Sequence, residues 1–142
     1  MAGEESPCPF CAIAGGARAW RVLETADVVA FLDIRPLFPG HVLVVPRRHV
    51  PTLADLETAA VGGFFLAVQR VGAAVETAMA AGGTFVAINN RVSQSVPHLH
   101  VHVVPRTKGD GLRGFFWPRQ RYDDEEAMTA VANRIAAAMP VG

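Results

Sequence analysis

The sequence has no excess of charge of either sign. Its 13 basic and 13 acidic side chains balance across 142 residues, and there is no long block of like charge. Because a duplex nucleic-acid binder needs a basic surplus to neutralise phosphates, this balance argues against that class of protein. Residues 1–6 are polar and acidic, unlike the basic start and apolar run of a secretory signal. We therefore expect a cytoplasmic protein that does not bind nucleic acid.

Long uninterrupted apolar runs are also lacking. The most apolar stretch, residues 61–81, contains Gln69, Arg70 and Glu76, and these side chains argue against a membrane span. Hydrophobic residues nevertheless make up 51% of the chain, enough for a sizeable core at this length. We expect a single domain over residues 1–142, without repeats or low-complexity tracts.

Cysteine is rare, and the two copies form the motif Cys8-Pro9-Phe10-Cys11. In a reducing compartment such a pair is either half of a metal site or a redox dithiol. A redox dithiol typically lies at a helix amino terminus after a strand, and no strand is predicted before Cys8. A metal site needs two further ligands, which histidines can supply in a tetrahedral Cys-Cys-His-His zinc centre. The sequence favours zinc, with a redox pair or inert thiols as the alternatives.

Histidine is scarce as well, and its five copies fall in two segments. Three of them, His98, His100 and His102, alternate within an apolar, β-branched run that is bounded by prolines. Because side chains alternate across a strand, we expect these imidazoles on one face, about 6.5–7 Å apart, with the intervening apolar residues packed into a core. Imidazole can act as nucleophile, acid, base or metal ligand, so this face is the predicted chemical site.

Hydrophobic period and turn residues predict five strands and two helices. We expect strands at residues 21–23, 28–33, 41–46, 84–89 and 98–105, the first two forming a hairpin. An alanine-rich helix is predicted over residues 55–81, with glycines that allow close packing or a break, and a carboxy-terminal helix with an acidic first turn over 123–139. This order predicts an α+β fold built on a mostly antiparallel five-stranded sheet.

The joint order of several motifs resembles the histidine triad (HIT) family. The matching segments span roughly residues 8–106 and are His98-x-His100-x-His102 with two following valines, Gln94-Ser95-Val96, Phe31-Leu32-Asp33-Ile34, Pro39-Gly40-His41 and Arg47-Arg48-His49. The resemblance implies a HIT-like antiparallel sheet with a long helix, usually as a two-fold homodimer. It also implies an enzyme that cleaves at the α-phosphate of a purine nucleotide of the AMP type.

The resemblance implies a role for each triad histidine. His100 is expected to attack the α-phosphorus and form a transient nucleotidyl-imidazole, while the backbone carbonyl of His98 fixes its tautomer. His102 is expected to hydrogen-bond a phosphate oxygen or to assist the leaving group. In zinc-bearing members the zinc is structural, because four protein ligands leave no open position for water. Here those ligands are Cys8, Cys11, His49 and His98.

Other residues of the predicted site have simpler structural explanations too. Asp33 is assigned to the ribose hydroxyls, but a carboxylate at a strand end could simply cap a turn. Phe10 and Ile13 are expected to line the base pocket, although they could be plain core residues. His41 is expected to orient a site residue, with a buried structural histidine as the alternative.

The loop before the triad departs from the family pattern. Residues 89–93 are shorter than the glycine-rich loop of many relatives and contain no glycine, so a cradle of backbone amides for phosphate is not implied. Gln94 and Ser95 are assigned to the α-phosphate and the bridging oxygen, unless they are ordinary loop residues. Asn89 is expected to hold the leaving group, and Arg91 could attract an anionic one.

Three functions from different classes remain open. The first is an enzyme that splits a nucleoside phosphoramidate, an adenylylsulfate or a dinucleoside polyphosphate through His100. The second is a noncatalytic nucleotide-binding or interaction module. The third is a metalloenzyme with all three triad histidines on one catalytic metal, which leaves both cysteines, Asp33 and Gln94 unexplained. The sequence does not indicate the leaving group, the base or the acceptor; the aromatic loop 109–119 is interpreted as a lid or partner contact that selects the leaving group.

Overall fold

The computed structural model describes residues 8–113 and 119–140. Two compact units follow each other along the chain, the first ending at Asp110 and the second beginning at Gly111. The first unit contains α1 (Pro9–Ala14), β1 (Arg21–Glu24), β2 (Val28–Leu32), β3 (Val42–Pro46), a 3-10 turn (Leu53–Asp55), α2 (Thr58–Ala78), β4 (Gly83–Ala87) and β5 (Val101–Arg106). The second contains α3 (Glu125–Ala137), whose side-chain cap at Asp124 and acidic first turn suit a helix amino terminus.

The five strands form one sheet in the order β1-β2-β3-β5-β4, and every neighbouring pair is antiparallel. The predicted α+β fold with an antiparallel five-stranded sheet is therefore confirmed. The long connection through α2 lets β5 lie between β3 and β4, so the histidine-bearing strand occupies an interior position of the sheet. A residue on β5 can then face a cavity while its neighbours face the core.

Both faces of the central strands are covered, which explains their nearly continuous valine content. Alternate residues of β2 and β3 pack under α2, through a helix stripe whose spacing suits one helical face: Phe64, Ala67, Val68, Val71 and Val75. The remaining residues of the same strands pack on the opposite face with Phe10 of α1: Val29, Phe31, Leu43 and Val45. The short α1 therefore completes the second core.

Most predicted elements have shifted ends in the structure, and three of the differences have a visible physical cause. The sequence pattern did not predict α1, which forms over six residues because Pro9 occupies its first turn and the Cys8 sulfur accepts the Cys11 amide at 3.4 Å. The ladder of β5 begins at Val101, not at residue 98, because the Leu99 amide donates to the Val50 carbonyl at 2.7 Å. The long helix begins three residues late, after a 3-10 turn with a Thr52–Asp55 capping box.

The glycines of α2 neither break the helix nor bring another segment close. A Cβ placed at Gly62, Gly63 or Gly72 would meet nothing within 4 Å. Within the described residues, α2 is the one helix whose length and composition would suffice to cross a bilayer, a property that core helices of soluble proteins share. One face of this helix packs against the sheet.

Candidate active site and metal centre

A cavity of about 510 Å³ lies on the face of the sheet that α1 covers. Its walls are mainly apolar and include Phe10, Ile13, Phe31, Leu43 and Val96. Its polar lining near the triad consists of Asp33 at the end of β2, Ser95 before the triad, and the imidazoles of His100 and His102. An apolar slot with a few convergent polar groups is the usual form of a small-ligand site.

The His100 ring is held in one tautomer. It is 2% exposed, and its Nδ1 lies 2.8 Å from the carbonyl oxygen of His98, which can only accept a hydrogen bond. Nδ1 therefore carries the proton, and Nε2 keeps its lone pair. The Phe10 ring packs edge-on with the centroids 5.1 Å apart. In its neutral form the buried ring therefore has one defined nucleophilic nitrogen, Nε2.

A chain of hydrogen bonds also fixes the tautomer of His102. The Leu37 amide donates to His41 Nδ1 at 3.1 Å, so the proton of neutral His41 must lie on Nε2. That Nε2 donates to His102 Nδ1 at 2.9 Å, which leaves the His102 proton on its own Nε2. His41 is 3% exposed and orients His102, as expected. His102 can therefore donate a hydrogen bond, while His100 supplies a lone pair.

Burial keeps the two hydrogen-bonded histidines, His41 and His102, neutral. Burial, with smaller contributions from His100 and His41, lowers the pKa of His102 to about 4, and Asp33 opposes that shift. Burial also lowers the pKa of His41, against a smaller opposing effect of Asp33. The 3.7 Å approach of Asp33 Oδ2 to His41 Nε2 is consequently not an ion pair near neutral pH. The tautomers follow from hydrogen bonding between neutral rings.

The four predicted metal ligands converge on one point. His98 Nδ1 lies 3.4 Å from the Cys8 sulfur, 3.5 Å from the Cys11 sulfur and 3.2 Å from His49 Nδ1. The fourth contact, Cys11 sulfur to His49 Nδ1, is 3.3 Å. Tetrahedral zinc with its usual bond lengths needs ligand separations of about 3.3–3.8 Å. These residues therefore fit a closed, structural zinc site.

The protonation of the cluster also suits a cation. His98 Nε2 donates to the Pro46 carbonyl at 2.7 Å, so its Nδ1 lone pair is directed at the two sulfurs. Burial and the neighbouring Cys8 raise the pKa of the Cys11 thiol, an effect that a bound dication would oppose. Both cysteines are free thiols.

The metal cluster and the cavity share a wall. Phe10 lies between the two cysteines on α1, and its ring centroid is 5.8 Å from His98, 5.1 Å from His100 and 5.5 Å from Phe31. Holding Cys8 and Cys11 in place therefore holds the aromatic wall against the His100 ring.

The three triad histidines do not point to one metal. Among the described residues, His98 groups with the cysteines, while His102 groups with Asp33 and His41. The second group is a poor metal site, because His41 Nε2 carries a proton as long as Nδ1 accepts from Leu37. The geometry therefore disfavours the metalloenzyme hypothesis.

The remaining predicted residues separate into two sets. Ser95 and Asp33 line the cavity, and Asp33 Oδ1 also caps a turn by accepting the Arg35 amide at 2.9 Å. Gln94 and Asn89 do not line it. The Gln94 side chain donates to the Pro51 carbonyl at 2.6 Å and accepts the Arg91 amide at 2.8 Å, so in this structure it braces the loop.

The loop before the triad is strained at two residues that are not glycine. Arg91 and Ser93 adopt positive φ values of 70° and 62°. Its amides at Arg91, Val92 and Gln94 donate within the loop, so these three are not available to a phosphate. Of the aromatic loop 109–119, residues 114–118 lie outside the described residues, and its interpretation as a lid stays a prediction.

Arg18 and Trp20 are among the cavity residues that the sequence did not predict. Trp20, which is 52% exposed, lines the outer end of the cavity. Arg18 lines the same end, with its guanidinium carbon 5.2 Å from the indole centroid. An Arg-Ala-Trp sequence just before a strand was the available signal, because it puts a large aromatic residue in a polar segment.

Comparisons with known proteins agree with this geometry. The HIT domain profile matches residues 16–109. An uncharacterised HIT-like protein of Mycobacterium tuberculosis is 42% identical over 109 residues, covering 75% of this chain and 76% of that protein. The asymmetrical bis(5'-nucleosyl)-tetraphosphatase of Schizosaccharomyces pombe is 41% identical over 83 residues, covering 57% of this chain and 46% of that enzyme.

A solved structure extends the likeness to nearly the whole chain. The Zn-bound histidine triad family protein of Mycobacterium smegmatis has a TM-score of 0.70 and 37% identity, and the match covers 92% of this chain and 96% of that one. The cavity, the triad and the matching profile together define the class of protein. This chain belongs to the HIT family.

Proposed function

We propose that this protein is a nucleotidyl hydrolase or transferase that acts at the α-phosphate of a purine nucleotide. The substrates to test first are of the AMP type: a nucleoside phosphoramidate, an adenylylsulfate or a dinucleoside polyphosphate. The observation that carries the proposal is the 2.8 Å hydrogen bond from His100 Nδ1 to the His98 carbonyl, which leaves a neutral lone pair beside a nucleotide-sized cavity. The S. pombe relative, a tetraphosphatase, supports the same reaction class.

In the first step His100 Nε2 attacks the α-phosphorus. A nitrogen–phosphorus bond forms, and the bond from phosphorus to the leaving group breaks with its electron pair. His102 donates its Nε2 proton as a hydrogen bond to a phosphate oxygen or to the departing atom, which stabilises the charge that develops there. Because His41 holds the other His102 nitrogen at 2.9 Å, this donor is oriented before the substrate arrives.

In the second step water or another acceptor attacks the same phosphorus. The nitrogen–phosphorus bond breaks, the electron pair returns to His100 Nε2, the proton lost by the attacking acceptor passes to the solvent, and the nucleotide leaves. Dividing the displacement into two steps allows one imidazole to serve first as nucleophile and then as leaving group. Asp33 accepts hydrogen bonds from the ribose hydroxyls, and the base packs against the apolar side chains of Phe10, Ile13 and Phe31.

Zinc, when bound by Cys8, Cys11, His49 and His98, supplies a structural cross-link. It has no open position for substrate, so the chemistry stays with the chain's own imidazoles. The Zn-bound M. smegmatis neighbour supports the choice of metal.

The proposed reaction is tested by measuring turnover of adenosine phosphoramidate, adenylylsulfate and diadenosine polyphosphates. We expect His100→Ala to abolish turnover of every substrate that the wild type cleaves. Arg121→Met, an exposed residue outside the described cavity lining and outside α2 and β4, is the matched control and should leave turnover unchanged. Nucleotide binding without turnover in the wild type, matched by His100→Ala, would instead support the noncatalytic module.

We also propose a homodimer formed through α2 and the edge strand β4. Apolar side chains remain exposed along this side of the protomer: Val61, Phe65, Leu66 and Val86. An apolar helix face beside an unpaired sheet edge is a surface that a two-fold partner can cover. Sedimentation should give a dimer that Leu66→Glu weakens, whereas a wild-type monomer at all concentrations would contradict the assembly.

A further inference from the structure

The outer end of the cavity contains an exposed tryptophan held against an arginine. The Trp20 side chain is 52% exposed although it lines the cavity, and the Arg18 guanidinium carbon lies 5.2 Å from its ring centroid. Among the described residues no acidic side chain is within ion-pair distance of Arg18. A cation over an indole is held in place without using its hydrogen-bond donors.

The sheet register places this pair far from the reacting histidines. One row of residues crosses four strands, from Arg21 to Phe31 to Leu43 to His102. Trp20 adjoins the far end of that row, where its carbonyl accepts the Leu32 amide at 2.9 Å. Three strand spacings of about 4.8 Å put this end about 14 Å from His102.

The order of phosphate, ribose and base along the cavity then indicates that the base is the part of the nucleotide nearest Arg18. When the α-phosphorus lies at His100 and the ribose lies at Asp33, directly after β2, the base extends towards β1. The apolar walls that surround the base, such as Phe10 and Ile13, contact it without distinguishing one purine from another. Arg18 is the charged side chain at this end of the described cavity lining.

We propose that Arg18, positioned by Trp20, reads the purine edge and makes guanine nucleotides better ligands than adenine nucleotides. A guanidinium only donates hydrogen bonds. Guanine presents two acceptors on one edge, N7 and O6, whereas adenine presents N7 beside an amino group that itself donates. The same side chain can therefore make two hydrogen bonds with guanine and one with adenine. This inference rests on the proposed function, because it requires a nucleotide in the cavity.

A non-specific role for Arg18 predicts a different result. A cation at the cavity mouth would attract every anionic nucleotide equally, and its removal would weaken GMP and AMP binding by the same factor. Base reading instead predicts that the ratio of the two affinities changes. The ratio is therefore the quantity to measure.

The test is titration calorimetry of the full-length, zinc-loaded protein with GMP and with AMP. Three variants are compared: Arg18→Met, which keeps a long apolar stem over Trp20; Arg18→Lys, which keeps the charge but loses the planar fork; and Arg121→Met, outside the cavity and the proposed dimer surface, as the matched control. We expect the wild type and the control to prefer GMP. In both Arg18 variants the preference should fall by about tenfold, the usual discrimination of a bidentate contact to guanine.

Two results would overturn the inference. An affinity ratio that is the same in the wild type and in Arg18→Met, or an equal loss for both nucleotides, would show that Arg18 does not read the base while leaving the proposed function intact. A wild type that binds neither nucleotide and forms no adduct on His100 would overturn the proposed function, and this inference with it.

Discussion

Removing the metal should destabilise the fold strongly, and the structure gives the size of the effect. The perturbation is chelation of the wild type or substitution of one ligand, Cys11→Ser. The proposed zinc, held by Cys8, Cys11, His49 and His98, would connect α1 with the segment after β3 and with the start of the triad. A cross-link of this kind acts mainly by restricting the unfolded chain.

The magnitude follows from the lengths of chain that the metal closes into loops. Cys11 and His49 are 38 residues apart, and His49 and His98 are 49 apart. The chain-entropy treatment gives about 4 kcal/mol for one loop of this size. A domain of about 140 residues loses roughly 2–4 °C of melting temperature per kcal/mol, so we expect a decrease of about 8–16 °C.

The assay is thermal unfolding with metal content measured on the same samples. The zinc-loaded wild type and the control Arg121→Met should lose the same increment of melting temperature on chelation, while Cys11→Ser should start at the lower value and not respond. Amide exchange should rise in α1, where Phe10 is held against the His100 ring, and nucleotide affinity should fall with it. Chelation that removes the metal and leaves the melting temperature within about 2 °C would show that the metal does not stabilise the fold.

Three further predictions concern single residues. NMR titration should give His102 a pKa of about 4. Because the unfolded residue titrates near 6.5, the unfolded state binds more protons between these two pH values, so the free energy of unfolding should rise with pH in this range and fall as the pH falls through it. Gly40→Ala should lower the unfolding free energy by about 1–3 kcal/mol in urea, since φ is 96° and the new Cβ would lie 2.6 Å from Met79 Cγ; Met79→Ala should recover part of this. Arg91→Gly should raise stability by about 1 kcal/mol in the same assay, because glycine accepts the φ of 70° without strain; an unchanged or lower value would contradict the strain argument.

The triad could be assigned from sequence because strand alternation is local. His100 and His102 face the cavity while Leu99, Val101 and Val103 are fully buried under α2, as the alternating pattern predicts. The same alternation holds before the ladder of β5 begins, since Leu99 lies in the core while His100 lines the cavity. The metal cluster was predicted from the ligand types and from the family resemblance, and the structure brings all four residues together.

The features that sequence did not indicate depend on contacts between distant segments. The short α1 is stabilised by its sulfur cap and by Phe10 packing on β2 and on the triad, and six residues carry too little periodicity to predict a helix. Gln94 is engaged by the Pro51 carbonyl, 43 residues away, which no local pattern reveals. Trp20 reaches the cavity only because β1 pairs with β2.

The most direct test of the account is intact-mass spectrometry of the protein mixed rapidly with adenosine and guanosine phosphoramidates and kept from acid. We predict a transient nucleotidyl adduct on the wild type, located on His100, and none on His100→Ala, with one zinc retained in both proteins. Turnover that persists in His100→Ala, or an adduct formed equally by both proteins, would contradict the assignment of His100 as the nucleophile.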